Sequence, residues 1–185
     1  LRLSSGDDLV VTTDAMAEGV HFLAKMDAAD VGRKLLRVNL SDLAAMGADP
    51  VAYTLTMVLP PSLEDSWIDK FAMGLLNDQR RYGLHLIGGD TIAAPHLVVS
   101  MTLFGRVQRD SELWRKGAQP GDSIFVSGTI GDAGLALKVS QGAYPELSIG
   151  AQKFLLDRLH RPSPRLELGK ALQQLAHAAI DVSDG

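Results

Sequence analysis

The sequence predicts an α/β (α+β) protein, with an N-terminal mixed-sheet domain packed with helices and the start of a second α+β domain. Three observations predict it. Short apolar, β-branched runs alternate with stretches of helical periodicity. The 185 residues are 46% hydrophobic and 22% charged, a balance that supports a buried core and excludes intrinsic disorder. From Gln108 to Asp122 the chain turns polar and then rich in Gly and Pro, which marks a domain boundary. We read residues 1–107 as one domain and 108–185 as an incomplete second one.

The elements follow in order. Leu9 to Thr13 is a β-branched run that reads as a buried strand, with Gly6-Asp7-Asp8 as the turn before it. Asp30 to Gly47 reads as a helix, with Asp30 as N-cap and Gly47 as the residue that stops it. Val51 to Leu59 is strand-like and ends at Pro60-Pro61. Ser62, with Asp65 after it, imitates a capping box and opens a helix whose apolar face carries Ile68, Phe71, Leu75 and Tyr82. That helix ends at Gly83, before strands Leu84 to Ile87 and Leu97 to Val107. Beyond the boundary, Ile124 to Ser127 and Ala178 to Val182 read as strands. Helices are expected near Gly134 to Gln141, Gly150 to Leu159 and Arg165 to His177.

Composition narrows the function classes. A net charge of −4 argues against a general nucleic-acid or anionic-membrane binder. No run of apolar residues is long enough for a membrane-spanning helix, and no signal peptide opens the chain. The absence of Cys excludes disulfides, thiolate zinc sites and a cysteine nucleophile, and fits a reducing cytoplasm. The chain begins without Met, and Asp181 to Gly185 reads as a strand end entering a turn, so a fragment of a longer protein is expected.

Aspartates recur where apolar runs stop: Asp14 after Val10-Val11-Thr12-Thr13, Asp90 after Leu86-Ile87-Gly88-Gly89, and Asp181 and Asp184 around Val182-Ser183. One such residue most often begins a turn or caps a helix. A fourth, Asp42, falls in the middle of the apolar arc formed by Val31, Leu35, Val38, Ala45 and Met46, while Arg33, Lys34, Arg37 and Ser41 take the opposite side. An inward carboxylate must be paired, hydrogen-bonded or bound to metal. Carboxylates gathered together repel, and a hard divalent cation relieves the repulsion; oxygen donors without Cys favour Mg²⁺ over Zn²⁺. Mg²⁺ on carboxylates commonly takes substrate phosphates as further ligands, which points to nucleotide chemistry. Gly88-Gly89 allows close approach of backbone to an anion, and the Gly128 to Gly134 turn reads as a strand–helix connection that also offers backbone N–H groups. No Walker motif, kinase catalytic loop, paired-His motif or nucleophile elbow is present.

The motifs together resemble the thiamine-monophosphate kinase family. The resemblance rests on Val11-Thr12-Thr13-Asp14, Glu18-Gly19-Val20-His21-Phe22, and Val38-Asn39-Leu40-Ser41-Asp42-Leu43-Ala44-Ala45-Met46-Gly47-Ala48. It continues through Gly88-Gly89-Asp90-Thr91, Lys116-Gly117-Ala118-Gln119-Pro120-Gly121-Asp122 and Ile180-Asp181-Val182-Ser183-Asp184-Gly185. Parts of the pattern are shared with aminoimidazole ribonucleotide and selenophosphate synthetases, whose fold this chain is then expected to share. The resemblance implies ATP-dependent phosphorylation of thiamine monophosphate to thiamine diphosphate. It implies several Mg²⁺ ions around Thr12, Thr13, Asp14, Asp42, Asp90, Asp181 and Asp184, with ATP on Gly89, Asp90, Arg115 and Ser183 and His21 on the substrate side. It further implies a cytoplasmic homodimer in which residues 1–107 bind ATP and Mg²⁺ and pair their sheets. The family's earlier metal-binding Gly-Asp-Asp-Ala-type segment is read as missing here. The rival readings are a different ATP-using enzyme of that superfamily and a non-catalytic binding module.

Overall fold

Alternation along one strand decides which face of the sheet becomes core. In β4 (Val98–Gln108), Val99, Met101, Leu103 and Val107 are buried while Ser100, Thr102 and Phe104 between them keep partial exposure. The computed structural model describes residues 6–183. Beside β4 it contains β1 (Asp7–Ala17), β2 (Asp49–Leu59) and β3 (His85–Ala93), in the order β1-β4-β2-β3. β4 runs antiparallel to both neighbours, and β2 and β3 are parallel. The parallel pair requires a crossover, which helix α2 (Asp65–Tyr82) supplies.

Helix α1 (Ala28–Ala45) lies against the covered face and is itself enclosed. Val31, Leu35, Leu36, Leu40 and Leu43 are all fully buried. Two glycines set how closely α2 crosses it. A Cβ on Gly74 would lie 2.0 Å from the Ala29 carbonyl oxygen, and one on Gly32 would lie 2.6 Å from that of Phe71. Arg37, expected on the polar side, is instead buried, donating to both carboxylate oxygens of Asp78 on α2 at 2.5 and 2.9 Å. The wheel failed there because α1 packs on two sides, so its second face is also interior.

Residues beyond β4 form α3 (Asp132–Ser140), α4 (Ile149–His160) and α5 (Leu166–Leu172). The end of α4 is tied to α1 twice: Arg161 donates to both oxygens of Asp30 at 2.7 and 3.0 Å, and Arg37 donates to the carbonyls of Arg161 and Pro162. Helix α5 crosses the end of α1 so closely that a Cβ on Gly169 would meet the Ala44 carbonyl oxygen at 2.0 Å. Among the described residues no helix is long and apolar enough to cross a membrane.

Several expectations are corrected. Asp30 is not the N-cap of α1: Asp27 is, accepting from the Ala29 N–H at 2.8 Å, and Asp30 serves the Arg161 and Arg33 ion pairs one turn on. Ser62 does not cap α2, which starts after Glu64; Ser62 lies in a turn closed by Leu63 N–H on the Pro60 carbonyl. Strand β3 does not stop at Ile87 but continues through Gly88, Gly89 and Asp90. Segments 124–127 and 178–182 form no strand: among the described residues neither joins the sheet, and the Ala179 N–H bond to the Trp114 carbonyl does not extend into a ladder. The last helix ends at Leu172, short of His177. Both glycine stops hold: Gly47 and Gly83 take φ of 69°, the left-handed conformation that ends helices.

Substituting Gly74→Ala forces a methyl group into the Ala29 backbone. It is expected to lower stability by about 1–3 kcal/mol, read as a reduced urea midpoint with unchanged slope.

Candidate functional site

The site is assembled from one strand, one helix and one irregular strap. Register sets the strand's part: Thr12 pairs with buried Leu103 and Asp14 with buried Met101, so both belong to the covered face. Asp42 lies in the last turns of α1. Thr12 Oγ1 donates to Asp42 Oδ2 at 2.5 Å and holds the carboxylate against the strand. The strap is fixed by Leu113 N–H on the Met46 carbonyl and by Ala179 N–H on the Trp114 carbonyl. Gly117 fits under the His177 carbonyl, which would lie 2.4 Å from a Cβ there. Those contacts bring Arg115 and Asp181, far apart in sequence, to the same place beside Asp42.

Electrostatics records the convergence. The Asp42 carboxyl is pushed above its ordinary range, first by burial and then by the charges of Asp181 and Asp14. The Thr12 hydrogen bond and Arg115 pull the other way without cancelling the rise. Thr12, Asp14, Asp42, Arg115 and Asp181 therefore form one cluster.

The remaining expected residues are placed elsewhere. Asp90 pairs in register with exposed Thr56, and Thr13 with Thr102, which puts both on the open face of the sheet. The Asp90 side chain accepts from the Thr91 N–H at 2.8 Å, and Thr13 Oγ1 donates to the Met101 carbonyl at 3.0 Å. Convergence of the acidic residues is thus partial: the sheet stands between Asp90 and the Asp42 cluster. Gly89 is required where it stands, because a Cβ would lie 1.9 Å from the Leu55 carbonyl oxygen. Ser183 is exposed at the end of the strap, and Asp184 lies outside the described residues. His21 lies in a separate exposed turn after β1. The Gly128 to Gly134 turn opens α3 with Asp132, which pairs with Thr129 and Arg158, so negative charge fills the end where a phosphate would bind.

Among the described residues no three Asp, Glu or His side chains meet closely enough to hold a metal alone. The donors present are a hydroxyl and carboxylates, a set that suits a hard cation using one or two protein carboxylates plus ligand oxygens. Sequence reasoning missed the Thr12–Asp42 bond here and, at the separate His21 turn, Lys34, which binds a backbone carbonyl and so leaves no pattern of residue types to read.

Residues 1–107 match the family model described as AIR synthase related protein, N-terminal domain. The chain belongs to the AIR synthase related protein family. Within this family it is 42% identical over 185 residues to the thiamine-monophosphate kinase of Escherichia coli K12, covering 100% of this chain and 56% of that one. Its structure resembles that of thiamine-monophosphate kinase from Stenotrophomonas maltophilia K279a, with a TM-score of 0.90 and 46% identity, covering 100% of this chain and 59% of that chain. It also resembles AaThiL complexed with AMPPCP and TMP, with a TM-score of 0.88 and 33% identity over 96% of this chain and 56% of that chain. The chain therefore spans little more than half the length of these AIR synthase related proteins.

A carboxyl held above its usual range binds its proton more tightly in the folded than in the unfolded state. Asp42 therefore favours the fold while protonated, and this contribution is lost as pH climbs from the ordinary carboxyl range through its raised value. At neutral pH the ionised group opposes folding, so Asp42→Asn is expected to raise the thermal midpoint. For a chain of this size each kcal/mol moves that midpoint by about 2–4 °C. Scanning calorimetry at pH 7 and again at pH 4 checks this, since the gain should shrink at the lower pH.

Proposed function

We propose that this chain carries the nucleotide- and metal-binding part of an ATP-dependent thiamine-monophosphate kinase. The reaction transfers the γ-phosphoryl group of ATP to thiamine monophosphate, giving thiamine diphosphate and ADP. The observation that carries this reading is the gathering of Thr12, Asp14, Asp42, Arg115 and Asp181 from four distant stretches around one half-buried carboxylate. Likeness to a protein bound to AMPPCP, an ATP analogue, and TMP supports it.

Thr12, Asp14, Asp42 and Asp181 are the proposed metal-binding residues of the cluster; Thr13, Asp90 and Asp184 join the set as the family resemblance implies, Thr13 and Asp90 from the open face of the sheet. Mg²⁺, when bound, supplies charge neutralisation and alignment of the phosphates. The chain's own residues do the rest. Thr12 fixes the Asp42 carboxylate so that its oxygens do not need to reorient when a ligand arrives. Arg115 offers a guanidinium fork to a phosphate, and Ser183 a hydroxyl at the exposed end of the strap. Gly89 and Asp90 join the ATP site as the family resemblance implies. His21 faces the substrate. The acceptor is a phosphate oxygen, already anionic at neutral pH, so positioning and charge stabilisation are the main demands and no general base is assigned.

The division into an ATP- and Mg²⁺-binding, dimerising domain over 1–107 and a second domain over 108–185 belongs to the same reading; the family match ending at residue 107 supports it. So does a cytoplasmic homodimer formed through the open face of the sheet. On that face Val11 is exposed and Thr13, Thr56 and Thr102 alternate with the buried set, with no helix packed over them among the described residues.

In the full-length protein, ATP, Mg²⁺ and thiamine monophosphate should yield thiamine diphosphate, while aminoimidazole ribonucleotide precursors and selenide should not react. Asp42→Asn should lower turnover about 100-fold or more at fixed Mg²⁺, the scale of a lost transition-state electrostatic contact. Near-normal turnover would remove Asp42 from the metal set.

A further inference from the structure

The turn that carries His21 is closed by its own backbone. Val20 and His21 N–H groups donate to the Ala17 carbonyl, Gly19 N–H to the Phe22 carbonyl, and Glu18 N–H to the Leu97 carbonyl. Phe22 is buried and anchors the turn's end. Within it the Ala17 N–H donates to His21 Nδ1 at 3.0 Å. An accepting Nδ1 leaves the neutral ring's proton on Nε2, so His21 presents a fixed N–H donor. The carbonyl of His21 itself is taken from across the fold by Lys34 Nζ of α1, at 2.8 Å.

Lys34 is an unusual choice for a purely structural contact. Burial pushes its ammonium below the ordinary lysine range, and its partner is a neutral carbonyl, with no carboxylate paired to it among the described residues. His160 of α4 feels the charges of both Asp30 and Lys34, and Asp30 is already engaged by Arg161 and Arg33. A half-buried cation with no counter-ion among the described residues is costly, and an apolar chain of the same length would serve packing better.

We propose that Lys34 is a positioning residue, whose bond to the His21 carbonyl fixes the turn so that the ring offers Nε2–H to an acceptor oxygen of the substrate. The inference rests on the assignment of His21 to the substrate side. It makes recognition there a matter of hydrogen-bond donation by a neutral imidazole.

The test uses the full-length protein with Lys34→Met, Lys34→Arg and His21→Ala. Lys34→Met should raise KM for thiamine monophosphate about tenfold, the scale of one hydrogen bond, with KM for ATP within about twofold of wild type. Its thermal midpoint should not fall. The ¹⁵N signals of the His21 ring should show one fixed tautomer in wild type and Lys34→Arg, and averaged values in Lys34→Met. Lys34→Arg should restore KM. An unchanged KM together with an intact tautomer in Lys34→Met overturns the proposal, as does a lowered midpoint with the tautomer retained. Should His21→Ala leave KM for thiamine monophosphate unchanged, the substrate-side assignment fails instead, and the tautomer signals alone decide whether Lys34 orders the turn.

Discussion

The bond from Thr12 to Asp42 joins the sheet to its covering helix at the point where the fold is least at ease. A carboxylate there is opposed by burial and by the charges of Asp14 and Asp181, and relieved only in part by the hydroxyl and by Arg115. Apolar packing elsewhere must be firm enough to hold it. The fully buried leucines of α1, with Tyr53, Met101 and Leu103 of the sheet, provide that firmness. The carboxylate is then delivered in a fixed orientation, with a deficit of positive charge that a bound cation and phosphates would repair.

Much of the frame could be read from residue patterns. Strand-like apolar runs marked β2 and β4, and Gly47 and Gly83 marked helix ends because the left-handed conformation they adopt is open to few other residues. The inward direction of Asp42 could be read from the helical wheel. The role of Arg37 could not, because a wheel assumes one buried face and α1 has two. The 124–127 and 178–182 segments carry strand-like side chains, yet a strand is a relation between two segments, and composition says nothing about the second. Asp30 looked like a cap because a short acidic residue before an apolar run commonly is one; its true partner, Arg161, lies far along the chain.

The site was legible as a set of residue types but not as a geometry. Asp14, Asp90 and Asp181 look alike in sequence, each following an apolar run. Register separates them: Asp14 shares a face with Leu103 and Met101, and Asp90 shares the other with Thr56. A shift of one residue in the pairing of β1 would exchange Thr12 for Thr13 and turn Asp14 away from Asp42. The pairing of β1 with β4 is therefore as much a functional determinant as any side chain in the cluster.

The reciprocal arginines also shape how the molecule can move. Arg37 leaves α1 to reach the carbonyls of Arg161 and Pro162 just past α4, and Arg161, at the cap of α4, reaches Asp30 of α1, so the two helices hold each other by crossed arms. Sliding either helix along the other stretches both grips together. The seating of α4 is thereby tied to the same helix that carries Asp42.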